Sequence, residues 1–359
     1  MSRPLIIDGS QGEGGGQILR TSLSLAAVEG RPIRIEKIRA GRPNPGLAAQ
    51  HVTCVRAVAA LCRAQVAGDE IGSPQLDFAP GAGVQAGDYT FDISAARKGG
   101  SAGATGLVLQ AVLVPLALAP GASRVSLRGG THVAWSPPFD YLQQVWLPAL
   151  AKLGVVADME LQRSGWYPAG GGEIHARVSG LGPEMSGRLR PVTLLDRGPL
   201  ERVTGRAIAA NLPLHIPRRM AARAADVLRA EGIDAAIEAE GADATSPGAG
   251  IFLTARYQVI ACGFSALGER GKPAETVGEE AAQALLAHQR SGAAVERHLA
   301  DQILLPLALA DGPSGYSTEA ITQHLRSNAF VIERFGRAKV RFSTGERGSG
   351  IVTVTPAAR

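Results

Sequence analysis

With 359 residues, 45% of them hydrophobic and 19% charged, the chain can bury the core of one large domain plus a smaller one, and its composition excludes a disordered or fibrous protein. A formal net charge of +5 and a pI near 9.4 favour a polyanionic partner. The three cysteines lack Cys-x-x-Cys spacing, which excludes a disulfide framework and a zinc site and leaves reduced, mostly buried thiols.

The N-terminus lacks the long apolar core of a secretory signal, so a cytoplasmic protein is expected. Pro4 to Ile7 reads as a strand running into Asp8-Gly-Ser-Gln-Gly-Glu-Gly-Gly-Gly-Gln-Ile-Leu-Arg20. Glycines there let backbone N–H groups face an anion at a helix N-terminus. Glu13 among them would repel phosphate unless a divalent cation lay between, so it reads either as a metal-bridging carboxylate or as the exposed residue of a plain turn. The first apolar helix runs from Gln17 and stops at Gly30. Arg31, Arg34, Lys37, Arg39 and Arg42 follow around a short strand with Ile33 and Ile35 inward.

Leu47 to Cys62 has the spacing of a helix with Ala48, Val52, Val55, Ala59 and Cys62 on one face, and Tyr89 to Ile93 alternates as a strand. Leu107 to Gly121 is a second apolar helix with a terminal glycine, too short for a membrane span and interrupted by Gln110 and Pro115. Leu142 to Leu153 is another helix, with Leu142, Val145, Trp146, Ala149 and Leu153 inward. Leu299 to Gly312 repeats the apolar-helix pattern and shares Pro-Leu-Ala-Leu-Ala with the second. Registering the three on Gly30, Gly121 and Gly312 leaves the second interval longer by roughly a hundred residues, the size of a small domain.

That surplus fits residues 187–280, where Val203 to Ala209, Ala235 to Ala239 and Ile251 to Ile260 read as strands and Arg218 to Glu231 as an amphipathic helix; Val277 to Gln289 reads as a helix leading back to the main domain. The expected fold is α+β: three repeated units of helices packed on mixed sheets, residues 1–186 and 281–359, with a smaller α+β domain, 187–280, inserted in the third. Aligning Pro115 with Pro306 sets Gln110 opposite Asp301, so each polar group needs either a shared ligand or another repeat as partner. His324 lies in Gln323-His-Leu-Arg-Ser-Asn328, where an imidazole can attack phosphorus and the amide one turn later could orient the ring. Val340 to Phe342 and Ile351 to Val354 read as strands joined by the loop 344–350.

Gly9 to Arg20, Arg39-Ala-Gly-Arg-Pro-Asn-Pro-Gly-Leu-Ala-Ala-Gln-His51, Trp166-Tyr-Pro-Ala-Gly-Gly-Gly172, His298-Leu-Ala-Asp-Gln302 and His324-Leu-Arg-Ser-Asn328 together resemble the RNA 3′-terminal phosphate cyclase family, in order along the chain. The resemblance implies three α+β units with a small domain inserted in the third. It also implies that His324 attacks the α-phosphate of ATP, that AMP passes to an RNA 3′-phosphate, and that the adjacent 2′-hydroxyl closes a 2′,3′-cyclic ester. ATP contacts would fall to Gln110, His298, Leu299, Ala300, Asp301 and Gln302. Glu13 would stand near a divalent metal, Mg or Mn, and Arg20, Arg39, Arg42, Gln50 and His51 would bind phosphates. Two positions depart from the bacterial pattern: His298 stands where tyrosine is common and Ser327 where threonine is frequent.

The implied partner is an RNA with a 3′-phosphate end and no membrane, with monomer and homodimer both open. Three other readings stay open at this stage: a non-catalytic cyclase-like protein of RNA processing or ribosome assembly, an enolpyruvyl transferase-like enzyme, and a basic RNA-binding module without turnover.

Overall fold

The computed structural model describes residues 3–94, 102–180, 189–345 and 348–357. The first unit comprises β1 (Leu5–Asp8), α1 (Gly16–Glu29), β2 (Ile33–Glu36), α2 (Ala49–Cys62), β3 (Gln65–Ala67) and β4 (Leu76–Ala79). Its sheet runs β1-β2-β4-β3, with β1 and β2 parallel and the other pairs antiparallel. A helix must return the chain between parallel strands, and α1 is that crossover. It stops where Gly30 adopts a left-handed φ of 62° and its N–H caps the Ala26 carbonyl.

The second unit repeats this order with β5 (Asp88–Asp92), α3 (Thr105–Ala117), β6 (Ala122–Gly129), α4 (Phe139–Tyr141), α5 (Leu147–Lys152), β7 (Val156–Arg163) and β8 (Gly172–Ser179), in the sheet β5-β6-β8-β7. A π turn over Leu142–Trp146 joins α4 to α5, and all five residues expected inward on this helical segment are buried. The third unit opens with β9 (Thr193–Leu194) and is then interrupted by β10 (Leu200–Ala210), α6 (His215–Arg229), β11 (Ala235–Ala242), β12 (Gly248–Tyr257), β13 (Ala261–Leu267) and α7 (Ala274–Ser291). It resumes with α8 (Arg297–Gln302), α9 (Leu304–Ala308), β14 (Ser314–Thr318), α10 (Gln323–Arg334), β15 (Ala338–Thr344) and β16 (Gly350–Pro356). Its sheet, β9-β14-β16-β15, has the connectivity of the first two.

The interrupting segment has its own sheet, β11-β10-β12-β13, and α7 packs on α6, β12 and β13. We propose to draw the insert from β10 to α7, since β9 pairs with β14 and α7 faces the insert's sheet. The junction at 186/187 lies outside the described residues, as do Glu346 and Arg347 of the 344–350 loop. A buried polar chain ties insert to body: His132 Nε2 meets Asp140 Oδ2 at 3.0 Å, and Asp140 Oδ1 accepts from Arg206 Nη1 at 2.6 Å.

α1, α2 and α3 pack against one another, and α1 also packs on α10, so helices of the first and third units meet. Helix α2 is buried more widely than its expected face, for Cys54, Ala57, Val58 and Leu61 are also inside. Pro115 removes the N–H that the Ala111 carbonyl would use inside α3, and Ser24 of α1 supplies the missing donor, Oγ to Ala111 O at 2.8 Å. The third repeat helix is broken instead: its proline, Pro306, crowds the carbonyl four residues back, and the helix divides at Ile303 into α8 and α9. All three cysteines are free and buried, and burial pushes the Cys54 thiol up to about 12. Among the described residues no helix is long and apolar enough to cross a membrane.

Candidate functional site

The glycine loop between β1 and α1 sits against the N-terminus of α10. Gly12 and Gly14 hold left-handed φ values of 61° and 57°. A Cβ on Gly12 would collide with Ser327 Oγ, one on Gly15 with the Glu13 carboxylate, and one on Gly16 with His51 Nε2. Glycine at these positions therefore serves close approach between the loop and three polar side chains.

Glu13, the one charged residue of that loop, lies between an imidazole and a guanidinium. Its Oε2 lies 2.8 Å from His324 Nε2 and its Oε1 lies 3.3 Å from Arg42 Nη2. Burial alone would raise the Glu13 carboxyl, but the hydrogen bond to His324 and the charges of His324, Arg42 and Arg20 outweigh it and lower the pKa. The same hydrogen bond is the main reason the His324 imidazole rises above its ordinary value. His324 is the second residue of α10, whose N-cap Thr322 accepts from Leu325 N at 3.2 Å, and its side chain is half exposed.

Beneath this pair lies a polar floor built by α1, α3, α8 and α10. Gln17 Nε2 donates to Asn328 Oδ1 at 3.0 Å, Thr21 Oγ1 donates to the same oxygen, and Asn328 Nδ2 donates to the Asp301 carbonyl at 2.8 Å. The expectation that Asn328 orients the His324 ring is corrected: all three amide contacts point to α1 and α8, and Glu13 orients the ring instead. Gln110 Nε2 donates to Gln302 Oε1 at 2.7 Å, so the polar residue of the second repeat helix is partnered by another repeat, the second of the two alternatives its burial left open. Arg20, 8% exposed, reaches Gln17 Oε1 at 2.5 Å. Burial pushes the Asp301 carboxyl up to about 6 despite nearby His324, His298 and Arg20. Together these groups line a small pocket of about 30 Å³, room for a single water.

His51 and Gln50 stand at the start of α2 beside Arg20. Burial, then Arg20 and Arg39, push His51 down to about 3, so the ring is neutral. Its Nδ1 accepts from Ala48 N at 3.0 Å, which leaves the proton on Nε2, facing Gly16. A neutral donor thus points at the glycine loop. As pH falls below the unfolded value of 6.5, the unfolded chain takes a proton that folded His51 refuses, so stability is lost between 6.5 and about 3. By about pH 5 the loss is roughly 2 kcal/mol. His51→Gln is expected to remove that dependence, read as the change in urea midpoint between neutral and acid buffer; an unchanged slope would contradict this protonation state.

The remaining sequence-derived residues divide. Arg42 joins the centre through Glu13, whereas Arg39 is half-buried and donates to its own loop, Nη1 to Gly46 O at 2.8 Å. Gln50 accepts from Ala104 N at 3.3 Å. His298 is exposed at the N-terminus of α8, while the expected nucleotide contacts at Leu299 and Ala300 are corrected: both residues are fully buried and their backbone groups are bonded within the protein. The sequence did not single out Thr21 or Glu296. Thr21 belongs to a polar stripe, Gln17, Arg20, Thr21 and Ser24, on an otherwise apolar helix, a signal of helical period. Glu296 is the N-cap of α8 and is 1% exposed. A more open cleft, about 430 Å³, lies in the insert beside Asn211 and Asp243, and none of these residues lines it.

The model of the family described as RNA 3′-terminal phosphate cyclase matches residues 11–342. A protein of that name from Methylococcus capsulatus is 60% identical over 98% of this chain and 96% of its own length. Relatives of the same name from Gloeothece citriformis and Methanopyrus kandleri are 50% and 43% identical, covering 96% and 98% of this chain and 97% and 98% of their own. Among solved structures, the enolpyruvyl transferase NikO from Streptomyces tendae aligns with 100% of this chain and 66% of its own at 13% identity and a TM-score of 0.27, a level from which nothing follows. The five separated motifs, the threefold unit and the match along nearly the whole chain agree: this protein belongs to the RNA 3′-terminal phosphate cyclase family of enzymes.

Proposed function

We propose that this enzyme uses ATP to convert an RNA 3′-terminal phosphate into a 2′,3′-cyclic phosphodiester, with AMP carried on His324. The observation that supports it best is the half-exposed imidazole of His324 held 2.8 Å from Glu13 at the mouth of a site lined by Arg20, Arg42 and His51.

In the first step the proton on His324 Nε2 passes to Glu13 Oε2, 2.8 Å away, and Nε2 forms a bond to the α-phosphorus of ATP while the bond to the bridging oxygen breaks and pyrophosphate leaves. A terminal phosphate oxygen of the RNA then displaces the imidazole, which gives an RNA end capped by AMP. The neighbouring 2′-oxygen attacks the terminal phosphorus, losing its proton, and AMP leaves with the bonding pair. DNA has no such nucleophile. Arg20, Arg39, Arg42, Gln50 and the neutral His51 would bind phosphate oxygens. Gln110, His298, Asp301 and Gln302 would hold the nucleotide.

Among the described residues no three His, Cys, Asp or Glu side chains converge on one point. The chain therefore offers Mg or Mn a single carboxylate, Glu13, and phosphate oxygens and water would complete the shell, which is the usual pattern for Mg. Such an ion supplies charge neutralisation of the phosphates. Glu13 and Arg42 orient the ring and the phosphates whether or not the ion is present. Cytoplasmic residence belongs to this proposal.

The test is an RNA oligomer with a labelled 3′-phosphate, incubated with ATP and Mg. The expected product is phosphatase-resistant, and a terminal 2′-deoxy control remains sensitive. Resistance in both, or in neither, would overturn the proposal.

A further inference from the structure

Two aromatic side chains escape the core, on loops that hydrogen bonds tie back toward Gln50. Of the three tryptophans, Trp146 and Trp166 are 1% and 3% exposed, whereas Trp135 is 99% exposed. Tyr167, at 76%, is the other exposed aromatic among the described residues. Single exposed apolar residues need no explanation, but a bare indole on a rigid support does.

Trp135 is rigid. It adopts a left-handed φ of 62°, unfavourable for a bulky residue and sustained by its neighbours. Val133 on one side is buried with Ala104 and Leu107, and Ser136 on the other donates to the Val133 carbonyl at 2.9 Å. The Tyr167 loop is clamped to the same place: the backbone N–H groups of Thr131 and His132 both donate to the Gly165 carbonyl, at 2.9 and 3.0 Å. The His132 ring also stacks on Trp166 at 4.9 Å. Tyr167 follows Trp166 directly, and Ala169 N donates to Ser246 Oγ of the insert.

The support is continuous with the phosphate-facing residues. Thr105 N donates to the Gly130 carbonyl at the root of the Trp135 loop, and Ala104 N donates to Gln50 Oε1, one residue from His51. On the proposal that follows, a strand whose 3′-phosphate sits at Arg20 and His51 leaves over these loops. Every base has a π-face, and stacking on rigid exposed rings is how single strands are held without sequence preference.

Resting on the proposed RNA substrate, we propose that Trp135 and Tyr167 form a stacking track for the unpaired bases upstream of the 3′-phosphate, so that the enzyme favours ends with a single-stranded tail over very short ones.

The experiment compares 3′-phosphorylated uridine oligomers, a dinucleotide and a decamer, bound to the full chain and followed by the accessible fluorescence of Trp135. The decamer is expected to bind more tightly and to quench that emission, and the dinucleotide not to quench it. Trp135→Ala and Tyr167→Ala should each weaken the decamer by about five- to a hundredfold, with dinucleotide binding and adenylation by ATP unchanged. Tyr167→Phe, which keeps the ring, should restore decamer binding. Equal affinity of the wild type for the two lengths, or equal losses on both in the variants, overturns the track while leaving the RNA reading intact. Slower adenylation in Trp135→Ala would assign the indole to the nucleotide and also overturn it. A wild type that adenylates yet binds neither oligomer overturns both.

Discussion

His324→Ala is expected to abolish formation of the adenylated enzyme and to reduce RNA end cyclisation by at least about 10⁴-fold, the scale on which loss of a covalent nucleophile reads out. The reason is chemical. Once Glu13 has taken its Nε2 proton, the ring offers phosphorus a lone pair on nitrogen, whereas Arg20 and Arg42 are acceptor-free and the acceptor nitrogen of His51 is bound by Ala48 N. Fold and RNA binding should survive, because the imidazole is half exposed and its hydrogen-bond partner, Glu13, keeps Arg42. Incubation with α-labelled ATP gives the measurement: an acid-labile, alkali-stable labelled band in the wild type and none in the variant. Activity within tenfold of wild type would remove His324 from the chemistry.

Glu296→Ala is expected to cost about 3–5 kcal/mol of stability and to weaken ATP binding. This carboxylate accepts from His298 N at 2.6 Å, from Leu299 N at 2.7 Å and from the Tyr141 hydroxyl, all in the core. Alanine removes the helix cap and strands three donors, each worth about 1–3 kcal/mol when left unpaired, with partial relaxation reducing the sum. The capped turn opens residues 298–302, which include the proposed nucleotide contacts His298, Asp301 and Gln302, so affinity should fall along with stability. Glu296→Gln keeps an acceptor in place and should cost much less. Urea midpoints with ATP titrations separate the effects; equal midpoints for Ala and wild type would show that the cap is dispensable.

The repeat was legible because a helix needs a stop, and Gly30, which supplies a left-handed residue for one, recurs in register as Gly121 and Gly312. The matching prolines were legible too, but not their consequences. Pro115 leaves α3 intact because a serine on another unit donates to the freed carbonyl, a partner no local pattern records. Pro306 divides its helix. At the site, the charged and imidazole residues could be named from their motifs, since glycines between a strand and a helix imply close backbone approach. What joins them was hidden: Glu13 and His324 are far apart in sequence and meet only because α1 packs on α10. The assignment of Asn328 to the His324 ring followed from helical spacing. It failed because a buried amide takes whatever donors and acceptors the neighbouring helices present, here Gln17, Thr21 and the Asp301 carbonyl.

The most direct measurement is peptide mapping of the wild-type enzyme after incubation with ATP and Mg and without RNA. The account predicts one AMP attached to a ring nitrogen in the peptide containing His324, discharged on adding RNA with a 3′-phosphate. AMP on a lysine, or cyclised RNA produced with no covalent nucleotide at any stage, would contradict it.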